Sequence, residues 1–116
     1  MDTEKSVVLV FKQNGMGISE HPELPLQLAK TLLALLDDSE LKPAALCFYT
    51  DGVRLCCEGS SVLRLLRRIE AKKIPLILCG TCVKTLELED QVKVGIIGGM
   101  TDILEAMWSA ESVLYI

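Results

Sequence analysis

The segment Val7-Val8-Leu9-Val10-Phe11 is apolar at five consecutive positions, and it decides the fold class of this chain. A strand with one solvated face alternates apolar and polar residues, whereas a strand covered on both faces, as in a parallel sheet, is apolar throughout. Four further β-branched and apolar runs follow, at residues 45–49, 76–78, 92–96 and 113–116. The pattern predicts five strands, several of them buried on both faces.

Between these strands, apolar residues recur at the three-to-four spacing of an amphipathic helix. A first helix is predicted to begin near residues 22–25, where either of two prolines fits the first turn because no N–H is needed there. Further helices are predicted over residues 60–73 and 100–108, and residues 82–89 support only a short one. Alternating strands and helices with right-handed crossovers predict a three-layer α/β/α fold, with one five-stranded parallel sheet flanked by helices. We expect a single domain over residues 1–116.

Composition restricts the classes of function. Half of the residues are hydrophobic and 24% are charged, which excludes a disordered or fibrous chain. The net charge of -4 and the small number of aromatic residues argue against a nucleic-acid surface, which needs a basic face and stacking platforms. The apolar runs are far shorter than the ~20 residues of a membrane span. Residues 1–5 lack the basic region of a signal peptide, so a cytoplasmic protein is expected.

The five cysteines are an odd number, which fits poorly with a disulfide framework. In open parallel sheets, ligand and catalytic groups collect at the carboxyl ends of the strands, because every β-to-α loop emerges there. Four of the cysteines fall at that edge, whereas Cys47 lies within a predicted strand. Cys47 and Cys56 are therefore expected to be packing residues, as free cysteines often are.

The tetrapeptide Cys79-Gly80-Thr81-Cys82 is the sharpest local signal. It puts one thiol at the exit of a buried strand and the other in the first turn of the next segment. Free backbone N–H groups and the positive end of a helix dipole at that place favour a thiolate. Gly80 would allow a tight turn and let another molecule approach the sulfur.

The CxxC spacing is shared by redox couples, zinc sites and sulfur carriers. A thioredoxin-like couple is disfavoured, because its cis-proline follows the motif and all four prolines of this chain precede Cys79. A zinc site is disfavoured because the adjacent Cys56 and Cys57 lack the usual spacer between ligands. No metal and no cofactor are expected.

Two other features of the same edge are candidate binding groups. Arg54 would bring a cation near the thiols, where it could stabilise a thiolate or an anionic sulfur species, although a surface ion pair is as simple a role. The segment Asn14-Gly15-Met16-Gly17 could cradle an anion or form an ordinary glycine turn.

Two longer motifs stand at a characteristic distance from each other. They are Phe48-Tyr49-Thr50-Asp51-Gly52-Val53-Arg54-Leu55-Cys56-Cys57-Glu58-Gly59-Ser60 and Ile77-Leu78-Cys79-Gly80-Thr81-Cys82. Together they resemble the DsrE-like domain of the YedF proteins, with similarity over nearly the whole chain. The resemblance implies a five-stranded parallel sheet flanked by helices, and a group of small proteins that pass sulfur between partners as a cysteine persulfide. YedF proteins are described as sulfurtransferase-like and are linked to selenium metabolism.

The resemblance also implies roles for individual residues. The active cysteine of the sulfur-relay relatives follows strand three, which corresponds here to Cys79. Cys82 would resolve or shield the persulfide, and Cys57 would line the crevice. The expected catalytic pair is therefore Cys79 and Cys82. The expected substrate-binding residues are Asn14, Gly15, Arg54, Cys57, Gly80 and Thr81.

The implied partners are a sulfur donor and a sulfur acceptor protein, together with further copies of the chain in a homo-oligomer. The apolar residues Met107, Trp108, Leu114 and Ile116 would suit a subunit interface, although each would also suit the core. YedF proteins commonly carry a sulfur-carrier domain ahead of the DsrE-like one, and only six residues precede Val7 here. A separate donor protein is therefore expected.

The relay relatives follow their cysteine with a basic segment, whereas residues 83–89 of this chain are mixed and acidic. The identity of the transfer partners is therefore not implied. The alternative function is a non-catalytic binding module that holds a small anion or a partner protein at the glycine-rich edge of the sheet.

Overall fold

The five strands form one sheet in which every neighbouring pair is parallel. The computed structural model describes all residues, 1–116. The strands are β1 (Val7–Phe11), β2 (Ala45–Phe48), β3 (Leu76–Cys79), β4 (Ile96–Gly98) and β5 (Ser112–Tyr115). Their order across the sheet is β4-β3-β2-β1-β5, so β1, β2 and β3 each have a neighbour on both sides, and β4 and β5 are the edge strands. The α/β class and the five-stranded parallel sheet predicted from the sequence are confirmed.

Four α-helices and one 3-10 helix connect the strands. The α-helices are α1 (Leu24–Asp38), α2 (Leu63–Ala71), α3 (Gly80–Thr85) and α4 (Met100–Ser109). Pro25 lies in the first turn of α1, as predicted. The 3-10 helix (Thr50–Cys56) occupies a segment in which no helix was predicted. None of the helices has both the length and the apolar character needed to cross a membrane.

The two faces of the sheet are covered unequally. α1, α2 and the 3-10 helix bury one face in a cluster of 19 residues, within which the rings of Phe11 and Phe48 stack with centroids 5.2 Å apart. Only α4 covers the other face, where Ile103 packs with Cys47 and Cys79 in a cluster of seven. Helices flank both faces, as predicted, but the second layer is one helix wide and leaves Ile96 of β4 exposed.

The fourth strand begins later than residue 92, where the sequence predicted it. Residues 91–93 run instead along the end of the 3-10 helix, with Val92 in an antiparallel bridge to Cys57 and the Lys93 N–H donating to the Cys56 carbonyl at 2.9 Å. Gly95 then turns the chain with φ +84°. The apolar run could not reveal this, because the bridge partner lies about 35 residues away.

The 3-10 helix is pressed against the carboxyl end of β1. The Tyr49 N–H donates to the Phe11 carbonyl at 3.2 Å. A Cβ on Gly52 would overlap that carbonyl oxygen and would lie 2.6 Å from the carbonyl carbon. Only glycine allows this approach, which fixes the start of the 3-10 helix relative to the sheet.

We expect Gly52→Ala to destabilise the protein by about 2–3 kcal/mol, because the new methyl group meets backbone atoms that cannot move aside. Urea unfolding followed by circular dichroism measures the change. Gly99→Ala is the matched control, since no atom lies nearer than 3.9 Å to a Cβ there. A Gly52→Ala midpoint equal to that of the control would contradict this account of the 3-10 helix.

Candidate functional site

Cys82 carries the most accessible thiol of the chain. All five cysteines are free, and Cys82 is half-buried whereas the other four are buried. Its side chain lines an open cavity of about 250 Å³, called the Cys82 cavity below. The other lining residues are Thr50, Asp51, Thr81, Thr85 and Leu86. A partner thiol could therefore reach Cys82 from solvent.

Cys79 lies directly behind Cys82. It is the last residue of β3 and is only 3% exposed, because it faces the side of the sheet that α4 covers. The Cys82 side chain packs against the buried cluster that contains Cys79, and Cys79 is near enough to raise the pKa of Cys82. The structure thus brings the expected thiol pair together, with Cys82 outside and Cys79 inside.

Gly80 contributes differently from the expectation that it opens access to the Cys79 sulfur. A Cβ at Gly80 would lie 3.1 Å from the Gly98 carbonyl oxygen and 3.3 Å from the Ile97 side chain. The missing side chain therefore makes room for β4. Thr81 is exposed and forms part of the wall of the Cys82 cavity.

Opposing influences act on the Cys82 thiol. Burial raises its pKa most, and the neighbouring Cys79 and the negative charge of Asp51 raise it further. The Thr50 N–H, which donates to Cys82 Sγ at 3.1 Å, lowers this pKa. The net result is a pKa above the ordinary thiol value. The sequence-based expectation of a favoured thiolate is therefore wrong for Cys82, because desolvation outweighs the hydrogen bond that its sulfur accepts from the Thr50 N–H.

A second cavity lies at the end of the 3-10 helix, where Arg54 and Cys57 line it. This Cys57 cavity has a volume of about 330 Å³ and also contains Asn14, Arg54, Ser60 and Gln91. Cys57 Sγ donates to the Val53 carbonyl at 3.3 Å. Burial raises the pKa of Cys57, and the positive charge of Arg54 lowers it.

An ion pair connects the two cavities. Arg54 Nε lies 3.1 Å from Asp51 Oδ1, with both side chains well exposed, so the pair contributes little to stability. The pair matters for the charges of the cavities, because Asp51 lines the Cys82 cavity and Arg54 lines the Cys57 cavity. The Cys82 cavity therefore has one acidic residue in its wall, Asp51, whereas the wall of the Cys57 cavity contains both Arg54 and the carboxylate of Glu58.

The predicted site residues therefore divide into two groups. Thr81 and the Cys79–Cys82 pair lie at one cavity, and Asn14, Arg54 and Cys57 lie at the other. Gly15 belongs to neither. It is buried against Pro25 with φ +149°, which supports the glycine-turn interpretation of this segment.

Four residues of the Cys82 cavity were not predicted, Thr50, Asp51, Thr85 and Leu86, and two of them, Thr50 and Asp51, act on the Cys82 thiol. The strand-ending sequence Thr50-Asp51-Gly52 has turn-forming residues, and that was the only signal available for them. No three His, Cys, Asp or Glu side chains are grouped so that they could hold a metal ion.

Known proteins with the same fold were identified by structure alone. No protein-family model matches the chain, and no curated protein matches it. The ychN protein from E. coli superposes with a TM-score of 0.66 at 21% identity, covering 97% of this chain and 99% of that one. MTH1491 from Methanobacterium thermoautotrophicum, a protein of unknown function, superposes with a TM-score of 0.66 at 13% identity, covering 97% and 100%. The chain therefore has the same fold as these two proteins, and at these identities the likeness concerns the fold alone.

We expect iodoacetamide to label Cys82 before the four buried cysteines, at a rate that rises with pH until it passes the raised pKa of this thiol. Asp51→Asn removes a negative charge that opposes ionisation, so it lowers the pKa of Cys82. Labelling at neutral pH should then be about two- to threefold faster.

Peptide mapping by mass spectrometry assigns the label to each cysteine. Asp90→Asn, an exposed substitution away from the Cys82 cavity, is the control and should leave the rate unchanged. Slower labelling in Asp51→Asn, or equal labelling of Cys79 and Cys82, would contradict this account of the site.

Proposed function

We propose that this protein is a sulfur-relay protein of the DsrE/YedF-like type, which carries sulfane sulfur, or selenium, on the Cys79–Cys82 pair. The observation that carries the proposal is the arrangement of these two thiols at the carboxyl end of β3. They are neighbours, and one of them opens onto a cavity with an N–H donor on its sulfur. The two sequence motifs and the fold support the same function.

Burial favours a division of labour between the two thiols. Cys82 meets the donor and the acceptor, because its sulfur is the accessible one. Cys79, the neighbour behind it, is the resolving thiol. The family resemblance implies these two roles in the opposite order, so the assignment to Cys82 comes from the difference in exposure.

The loading step is a thiol exchange. The Cys82 thiolate attacks the outer sulfur of a donor persulfide, a new S–S bond forms at Cys82 Sγ, and the donor leaves as a thiolate. Without an acceptor, the Cys79 thiolate attacks Cys82 Sγ, forms a disulfide with it, and releases hydrosulfide. Both steps use the thiols alone and need no cofactor.

The partners follow from this chemistry. The donor and the acceptor are separate proteins that present a persulfide or a thiol to the Cys82 cavity. A reducing compartment suits a chain whose five cysteines are all free, so we place the protein in the cytoplasm.

We expect intact-mass spectrometry after incubation with a persulfide donor to detect one added sulfur atom in the wild type, reversible by reductant. The adduct should be absent in Cys82→Ser. It should persist longer in Cys79→Ser, since the resolving thiol is gone. Cys57→Ser is the matched control and should take up sulfur as the wild type does.

Loss of the adduct in Cys79→Ser with retention in Cys82→Ser would reverse the two roles and restore the order that the resemblance implies. If no variant forms an adduct, or if all variants form it equally, the relay function is wrong.

The Cys57 cavity supports a second candidate function, a non-catalytic module that binds a small anion. Its lining combines the guanidinium of Arg54 with the amide of Asn14 and the hydroxyl of Ser60, groups that can hold an oxyanion, and the carboxylate of Glu58 in the same lining opposes that binding. Absence of a sulfur adduct on the protein would favour this second function over the sulfur relay.

We also propose that the protein forms a homo-oligomer through the outer face of α4. Met100, Leu104 and Trp108 follow one another at intervals of four residues, and all are exposed, Trp108 at 85%. An apolar stripe of this kind marks an interaction surface. Of the interface residues predicted from the sequence, Trp108 and Leu114 are exposed, whereas Met107 and Ile116 are half-buried.

We expect sedimentation velocity to give a mass above that of the monomer for the wild type and the monomer mass for Leu104→Glu, because a charge would be buried in the interface. Leu35→Glu is the matched control, since Leu35 is comparably exposed but lies on α1, against the opposite face of the sheet. A monomeric wild type, or equal dissociation by both substitutions, would refute the α4 interface.

A further inference from the structure

Thr50 has an unusual backbone conformation. Its φ is +47°, in the left-handed region that β-branched residues rarely adopt. Residues held in such conformations persist where the surrounding structure determines them, and they cluster at functional sites. Two things need to be identified: the contacts that stabilise this backbone conformation, and the interaction that the conformation makes possible.

Contacts with the end of β1 hold the conformation. Thr50 Oγ1 is placed to donate to the carbonyl oxygen of Lys12, the residue immediately after β1, and also lies 2.7 Å from the Tyr49 carbonyl oxygen. On either side of Thr50, Tyr49 is bonded to the Phe11 carbonyl and Gly52 is packed against it. The hydroxyl of Thr50 is thus the side-chain anchor of a segment whose flanks are already fixed.

The conformation makes possible a hydrogen bond to the sulfur of Cys82. The left-handed backbone directs the Thr50 N–H at Cys82 Sγ, with 3.1 Å between nitrogen and sulfur. We infer that Thr50 is a positioning residue, whose hydroxyl holds its own N–H against the Cys82 sulfur. This inference rests on the proposed function of Cys82 as the thiol that exchanges sulfur.

The N–H matters because the other neighbours of Cys82 oppose a negative sulfur. Asp51 of the 3-10 helix and Cys79 of β3 both disfavour the thiolate, and so does burial. The remaining residues that line the cavity, Thr81, Thr85 and Leu86, carry no charge. Among these neighbours, it is the Thr50 N–H that lowers the pKa of Cys82 and so favours a charged sulfur.

The same contact serves the release of sulfur. An acceptor thiolate attacks the outer sulfur of the Cys82 persulfide and forms a new S–S bond with it. The bond between that sulfur and Cys82 Sγ breaks, and its electron pair moves onto Sγ. The outer sulfur keeps its proton and becomes the terminal sulfur of the acceptor persulfide. Cys82 leaves as a thiolate, which accepts the hydrogen bond of the Thr50 N–H.

The test compares Thr50→Val with Thr50→Ser in the resting protein. Valine keeps the shape of the threonine side chain but has no hydroxyl, so the N–H of residue 50 is no longer held against Cys82 Sγ. Alkylation of Cys82 at neutral pH should slow about tenfold, as for loss of a hydrogen bond to a charged group. The curve of alkylation rate against pH should shift to higher pH. Serine keeps the hydroxyl and should react nearly as the wild type does.

Thr85→Val is the matched control, because Thr85 lines the same cavity and makes no hydrogen bond to Cys82. An unchanged profile in Thr50→Val overturns the inference. So does a shift of equal size in Thr50→Ser or in Thr85→Val. Circular dichroism confirms that each variant is folded.

If Thr50→Val does not fold, Thr50→Gly takes its place, because glycine adopts a positive φ without strain. Its melting temperature should be at least that of the wild type, and its alkylation profile should still move up. An unchanged profile overturns the inference. Since alkylation needs no persulfide, this result is independent of the sulfur-adduct experiment, and either proposal can fail without the other.

Discussion

The close approach of Gly52 to the Phe11 carbonyl is the contact on which the site depends. It seats the 3-10 helix on the carboxyl end of β1, at the edge of the sheet where β3 also ends. From that position the helix presents the Thr50 N–H to Cys82 and separates the two cavities. A side chain at position 52 would move all of these groups together, because they belong to one short rigid segment.

The 3-10 helix also distributes charge. Asp51 and Arg54 are paired but line different cavities, so the accessible Cys82 thiol lies near a negative charge, whereas the positive charge of Arg54 acts on Cys57. A thiol with a raised pKa is slow to ionise but is protected from indiscriminate reaction at neutral pH. A carrier that has to wait for a particular partner would benefit from that restraint.

Much of the fold was predictable because burial of a parallel sheet imposes a local signal on each strand. Val7–Phe11 and Leu76–Cys79 were recognised for this reason. The start of the fourth strand was misjudged, since Val92 is drawn into a bridge with Cys57. The 3-10 helix was missed, because its conformation depends on the contact between Gly52 and β1.

The sequence by itself determined the α/β class, the parallel sheet and the gathering of cysteines at one edge, because hydrophobic periodicity and strand direction act locally and repeat along the chain. Only the tertiary structure decided that Cys82 is exposed and Cys79 buried, since that depends on where α4 packs. It also decided that Cys57 lies in a different cavity from Cys82, and that burial outweighs the Thr50 N–H in its effect on the Cys82 pKa. Burial and electrostatics sum over residues distant in sequence, so no local pattern encodes them.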